Sequence, residues 1–233
     1  MRGLRCFLAL AIAFSISLPA MAADDPGARI SALVAEAKYD EALTIANQLE
    51  KMSQSENGGN TARHAVAVSW IAFLKSVEGD RQGATPYYEL AVAIYSKILP
   101  PDHPDLATSL NNLGFDRAET GRGDEAEALY RRALDIREQV LPPNDPAIAD
   151  TLNNLAELYK SEERIDEVVP LLNRALEIRT RSLPPDDPRI AASLQNLAGA
   201  LELDPKGDKF VASQKLLEKA LAIRLKSAIA LSN

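Results

Sequence analysis

The sequence predicts an all-α protein built from repeated pairs of helices. Three observations carry this. The tripeptide "LPP" recurs at Leu99, Leu141 and Leu183, 42 residues apart each time. Each is followed by a polar residue and a proline, His103-Pro104, Asp145-Pro146 and Asp187-Pro188, the pattern of an N-cap before the first helical position. Runs of alternating β-branched residues, which would signal strands, are almost absent.

The text after each "LPP" repeats as well: "DHPDLATSLNNLG", "NDPAIADTLNNLA" and "DDPRIAASLQNLA". Apolar or small residues at Leu110, Leu113 and Gly114 fall on one helical face and define a first helix. Gly121 and Gly123 break the chain. A second helix then places Ala126, Tyr130, Ala133, Leu134 and Ile136 on one side. Its tail recurs as "YRRALDIRE", "LNRALEIRT" and "LEKALAIRL", the third three residues late because of the loop "ELDPKGDK" (202–209). Pro86 and Pro170 share a repeat position near the start of the second helix. They predict a helix entrance, where proline's missing amide has no intrahelical partner to lose.

The same frame decays upstream. Val68, Ile71 and Ala72 align with Leu110, Leu113 and Gly114; Ala84, Tyr88 and Ala91 align with Ala126, Tyr130 and Ala133. A further step reaches Ala42. Repeats are expected at about 24–56 (degenerate), 57–98, 99–140, 141–182 and 183–226, with a helical extension to 233. Residues 23–233 are expected to form one array.

The first residues read differently. Arg2 and Arg5 precede the apolar "CFLALAIAFSISLPA", and "AMA" precedes "ADD". This is the order of a secretory signal peptide, residues 1–22, cleaved after Ala22 or after Ala23. The apolar run is shorter than the roughly 20 residues of a spanning helix. The expectation is a periplasmic or secreted protein with no stable membrane insertion after cleavage. Cys6 is the only cysteine and leaves with this segment, which excludes disulfides, thiolate metal sites and a cysteine nucleophile. The whole chain carries a net charge of −7. Cleavage removes two arginines and no acid, giving −9 and making nucleic acid a poor partner.

"LNNLA" (Leu152–Ala156), Tyr159, "ALEIR" (Ala175–Arg179) and "HPDLA" (His103–Ala107) resemble tetratricopeptide repeats, in the 42-residue form of kinesin light chain. Small residues at the helix contact agree: Gly114 with Ala126 and Ala133, then Ala156 with Ala175. The resemblance is densest over 99–226, thinner over 61–98 and faint over 24–56. Two positions depart from it: Val168 replaces a small residue, and Arg117 stands where Tyr159 stands one repeat later. The resemblance implies a right-handed superhelical solenoid of antiparallel helix pairs. It also implies that the first helices line a concave groove that holds peptides or partner proteins.

Helical geometry sorts the residues of that groove. At 100° per residue Asn112 lies opposite the apolar cluster of its helix and Asn111 lies on the flank. Their repeat equivalents are Asn154 and Asn196, and Asn153 and Gln195. With the apolar face packed, these amides are expected to form a ladder along the open side. They suit the backbone of an extended peptide, because an amide both donates and accepts. The plainer reading is that they stitch neighbouring first helices. One repeat upstream Trp70 replaces Asn112, and Phe73 and Phe115 share the next position along. These aromatics read either as an apolar end of the groove or as packing against the irregular first repeat.

His103 reads as a cap and His64 lacks any metal-ligand spacing, so neither a metal nor a cofactor is expected. No nucleophile motif or glycine-rich phosphate loop points to an enzyme. The function expected is a non-enzymatic scaffold holding a protein or peptide partner. The alternative is a structural protein that self-associates into a homo-oligomer through its C-terminal helix, where Leu225, Ile229 and Leu231 are expected either to be exposed or to pack back on the last pair.

Overall fold

The computed structural model describes residues 25–203 and 209–232, with the side chains of 229–232 excepted. The leader 1–22, most of the loop 202–209 and the side chains of Ile229 and Leu231 therefore lie outside the described residues. Within them the protein is all-α: α1 (Pro26–Ala35), α2 (Tyr39–Gln54), a short 3-10 turn (Glu56–Gly59), α3 (Ala62–Glu78), α4 (Arg81–Ile98), α5 (Pro104–Glu119), α6 (Gly123–Val140), α7 (Pro146–Ser161), α8 (Ile165–Ser182), α9 (Pro188–Leu203) and α10 (Phe210–Ser232). Consecutive helices pack as pairs. The helices fall into two compact bodies, divided within α6 between Ile136 and Arg137.

The helix starts follow the sequence. His103 Nδ1 accepts from the Asp105 amide at 3.1 Å, Asp145 from the Ala147 amide at 2.9 Å, and Asp187 from the Arg189 amide at 2.8 Å. Each satisfies one of the orphan N–H groups of a helix N-terminus. His103 is thus a cap, as its repeat position predicts.

The turns inside the pairs carry a second signature of the frame. Ala37, Gly79, Gly121 and Glu163 all have positive φ (57°, 89°, 77° and 60°) and stand 42 residues apart. A left-handed residue reverses the chain after α1, α3, α5 and α7. Two of the four are not glycine, so the sequence alone conceals the regularity.

The two prolines correct an expectation. Pro86 and Pro170 sit at the sixth helical position, since α4 begins at Arg81 and α8 at Ile165. There each removes an i→i−4 hydrogen bond instead of an amide that was free anyway. The carbonyls released belong to the exposed residues Gln82 and Asp166, where water can serve them.

In the first body, residues 25–136, α1 and α2 close over α3. Ile30, Ala42, Ala46 and Leu49 pack with Ala67, Trp70, Ile71 and Leu74. A second cluster joins α3 and α4 to α5 and α6 through Val68, Ile94, Leu106, Leu110, Ala133 and Ile136. At Gly114 a Cβ would meet the Tyr130 ring at 2.9 Å, so only glycine allows α5 and α6 this close. Burial raises the phenol of Tyr88 to about 12 and pushes those of Tyr95 and Tyr130 up as well.

In the second body, residues 137–232, α7 packs on α8, α8 on α9 and α9 on α10. Val168, the departure from a small residue, is fully buried there. Ile190, Ala191, Leu194 and Ala220 form a cluster flanked by Leu176, Leu183, Leu216 and Ile223.

Candidate protein-binding face

By repeat position, three sets of side chains recur on the first helices, α3 and α5 in one body and α7 and α9 in the other. The first comprises Trp70, Asn112, Asn154 and Asn196. Its members are not equally accessible. Trp70 is 4% and Asn112 5% exposed, whereas Asn154 and Asn196 are half-buried. The second row runs from buried Ser69, Asn111 and Asn153 to half-buried Gln195. The third runs from buried Phe73 through half-buried Phe115 to exposed Glu157 and Gly199.

The expectation of an aromatic end to an open groove is overturned. Trp70 and Phe73 lie in the core formed with α1 and α2, edge to face with ring centroids 5.9 Å apart. The plainer of the two readings holds: the irregular first repeat buries them.

The expected exposure of Asn112, Asn111 and Asn153 is also overturned. The wheel takes one face as packed, but α5 is buried all round: Asn112 and Asp116 on one side are as inaccessible as Leu106, Leu110 and Leu113 on the other. A position opposite one contact is then covered by the next. The Oδ1 of Asn112 and that of Asn153 are buried without a hydrogen-bond partner among the described residues. Asn153 Nδ2 donates to the Ala149 carbonyl of its own helix at 2.7 Å. Gln195 accepts from Arg224 Nη2 at 2.5 Å, which ties α9 to α10. Asn154 and Asn196, with Glu157 one turn beyond Asn154, thus form the accessible polar face of α7 and α9.

Beneath this face lies a device that the rows did not reveal. Arg137 and Arg179, the arginines of "ALDIR" and "ALEIR", are each 4% exposed. Arg137 donates to the Ala147 carbonyl at 2.7 Å and to the Thr151 hydroxyl. Arg179 donates to the Ser193 hydroxyl at 2.7 Å and to Asp150 Oδ1 at 2.6 Å. Each arginine thereby pins a first helix through a hydroxyl 14 residues downstream. The repeated Arg and Ser/Thr at that spacing was the signal available in the sequence. Burial holds the Asp150 carboxyl above its ordinary range, opposed by the Arg179 guanidinium. Burial likewise lowers Arg137.

The first body has its own buried charge. Asp116 and Arg117 occupy the positions of Leu158 and Tyr159 one repeat later and are almost inaccessible. Arg117 pairs with Asp116 at 2.9 Å, Glu125 at 3.0 Å and Glu89. Asp116 also accepts from Thr85 Oγ1 at 2.9 Å. All its near partners are internal, so this network holds α4, α5 and α6 together. His64 is buried too, its Nδ1 donating to the Gly59 carbonyl at 2.7 Å, with Glu50 3.5 Å from Nε2. Among the described residues no group of three or more His, Cys, Asp or Glu side chains is placed to hold a metal.

Comparison with known proteins fits this architecture. The tetratricopeptide repeat family matches over residues 63–139, 110–181 and 147–226. Two solved structures share the fold. One, the nearly identical TPR-like repeats of a candidate kinesin light chain from Podosopora anserina, gives a TM-score of 0.68 at 23% identity, covering 87% of this chain and 94% of that one. The other is BtubC (BKLC) from P. vanneervenii, with a TM-score of 0.73 at 22% identity, covering 87% of this chain and 82% of that one. A search of curated proteins gave no match. The family matches span well over half the sequence, and the chain belongs to the tetratricopeptide repeat family.

Proposed function

We propose that the protein is a non-enzymatic interaction scaffold that holds an extended peptide or a loop of a partner protein. The repeat fold is generally one for protein interaction, which supports the class of function. The observation that carries the finer reading is the accessibility of Asn154 and Asn196 on successive first helices. Amides at that interval offer donors and acceptors to a peptide backbone without selecting its side chains. Glu157, one turn along α7, adds a carboxylate that favours basic residues in the ligand.

The reading takes residues 23–233 as one repeat array after an export leader, and places the scaffold in the periplasm or outside the cell. The leader pattern of residues 1–22 supports that location. No described helix is long and apolar enough to cross a membrane.

Peptides selected from a random library on the full chain test the site. Alanine at both Asn154 and Asn196 is expected to weaken the selected peptides by roughly tenfold or more, with helical content unchanged. Equal binding by the double variant refutes the assignment.

A further inference from the structure

The last described helix, α10, presents an apolar face that its repeat equivalents do not leave open. "ALAIR" aligns α10 with "ALEIR" of α8, so Leu221 corresponds to Leu176. Leu176 packs against the α9 cluster. Leu221 is 59% exposed, and Phe210, Val211 and Leu225 are comparably open. These three replace Ile165, Asp166 and Thr180 of α8. On this side α10 is more apolar than α8, the helix it repeats.

Charge indicates what covers this face. Residues 209–229 hold five bases (Lys209, Lys215, Lys219, Arg224, Lys226) and one acid, Glu218, in a chain of net charge −7. On the helical wheel Lys215, Lys219 and Lys226 flank the apolar stripe on one side. Two α10 helices paired antiparallel would bring these lysine flanks together, which is unfavourable. The opposite end of the chain is complementary. Residues 25–59 hold six acids (Asp25, Glu36, Asp40, Glu41, Glu50, Glu56) against three bases. The exposed side of α1 there is small, with Ala28, Ala32 and Ala35, so that leucines can approach its backbone closely.

We infer that α10 of one copy docks on the α1–α2 hairpin of a second copy, head to tail, extending helix stacking from one chain to the next. The contact is heterologous, so association gives a ring or an open chain of copies and grows with concentration. It is apolar at its centre and charged at its rim, so it weakens as salt rises.

Sedimentation velocity of the full chain over a wide concentration range, at low and high salt, reads the association. Leu221→Glu with Leu225→Glu is expected to weaken it by roughly tenfold or more while circular dichroism is unchanged. A monomer at every concentration and salt overturns the proposal. Orientation is read by disulfide trapping in a Cys6→Ser background. Leu225→Cys mixed with Ala32→Cys should crosslink efficiently, and Leu225→Cys alone should not. Efficient trapping of Leu225→Cys with itself overturns the head-to-tail arrangement. Association that survives the double glutamate variant overturns the role of α10.

Discussion

The two compact bodies use one repeat frame for different ends. In residues 25–136 the first-helix positions are spent on internal packing: Trp70 and Phe73 fill a core, and Asn111 and Asn112 are buried. In residues 137–232 Asn153 is buried too, but Asn154, Gln195 and Asn196 are half-exposed, and Glu157 is open. The difference teaches that repeat position alone does not make a binding residue. What packs around a first helix decides whether its amides meet a ligand or the interior.

The sharpest way to break this contrast is at its most buried member. Trp70→Ala should cost about 3–5 kcal/mol by leaving a cavity among Ile30, Leu49 and Leu74. Urea unfolding followed by circular dichroism measures it. Asn154→Ala, at the same repeat position, should cost under about 0.5 kcal/mol. Similar losses in the two variants would erase the distinction between the bodies.

Next in size is the charge network of the first body. Arg117→Ala leaves the buried Asp116 with only the Thr85 hydroxyl and the more distant Arg122, and should cost about 3–5 kcal/mol. Giving α5 the residues of α7, Asp116→Leu with Arg117→Tyr, should be neutral or stabilising by about 1–4 kcal/mol. A strongly destabilised double variant would mean that the network does more than replace a Leu–Tyr pair.

Gly114→Ala is smaller, about 1–3 kcal/mol, because the new methyl drives into Tyr130. Thermal unfolding reports the loss. In the second body the turn at Glu163 runs the other way: Glu163→Gly should raise stability by about 1 kcal/mol, since φ of 60° strains a non-glycine residue. Alanine at Gly121 should lower it by a like amount.

The smallest effect concerns pH. The side-chain hydrogen bond from Arg189 holds the Asp187 carboxyl below its ordinary range. The unfolded chain therefore binds the proton more readily than the folded one. The stability Asp187 contributes is present above the ordinary carboxylate range and disappears as pH falls through its depressed folded value. Asp187→Asn keeps the cap and should flatten that part of the acid limb of a stability–pH profile.

The 42-residue frame, the capped helix starts at Pro104, Pro146 and Pro188 and the close contact at Gly114 were legible because each rests on local chemistry or strict spacing. The burial of Asn112 was not, because a helical wheel takes one face as packed and α5 is buried all round. Ala37 and Glu163 concealed the left-handed turns, since neither is the residue such a turn prefers. Pro86 and Pro170 marked the right region but not the right turn of helix. There the neighbouring carbonyls face water, and proline is tolerated deeper than at a helix entrance.

Peptide capture tests the central claim most directly. A peptide selected on the full chain should lose roughly tenfold or more of its affinity when Asn154 and Asn196 become alanine, and almost none when Trp70 becomes phenylalanine. Undiminished affinity in the asparagine variant, or a selective loss with Trp70→Phe, would contradict a binding face on α7 and α9.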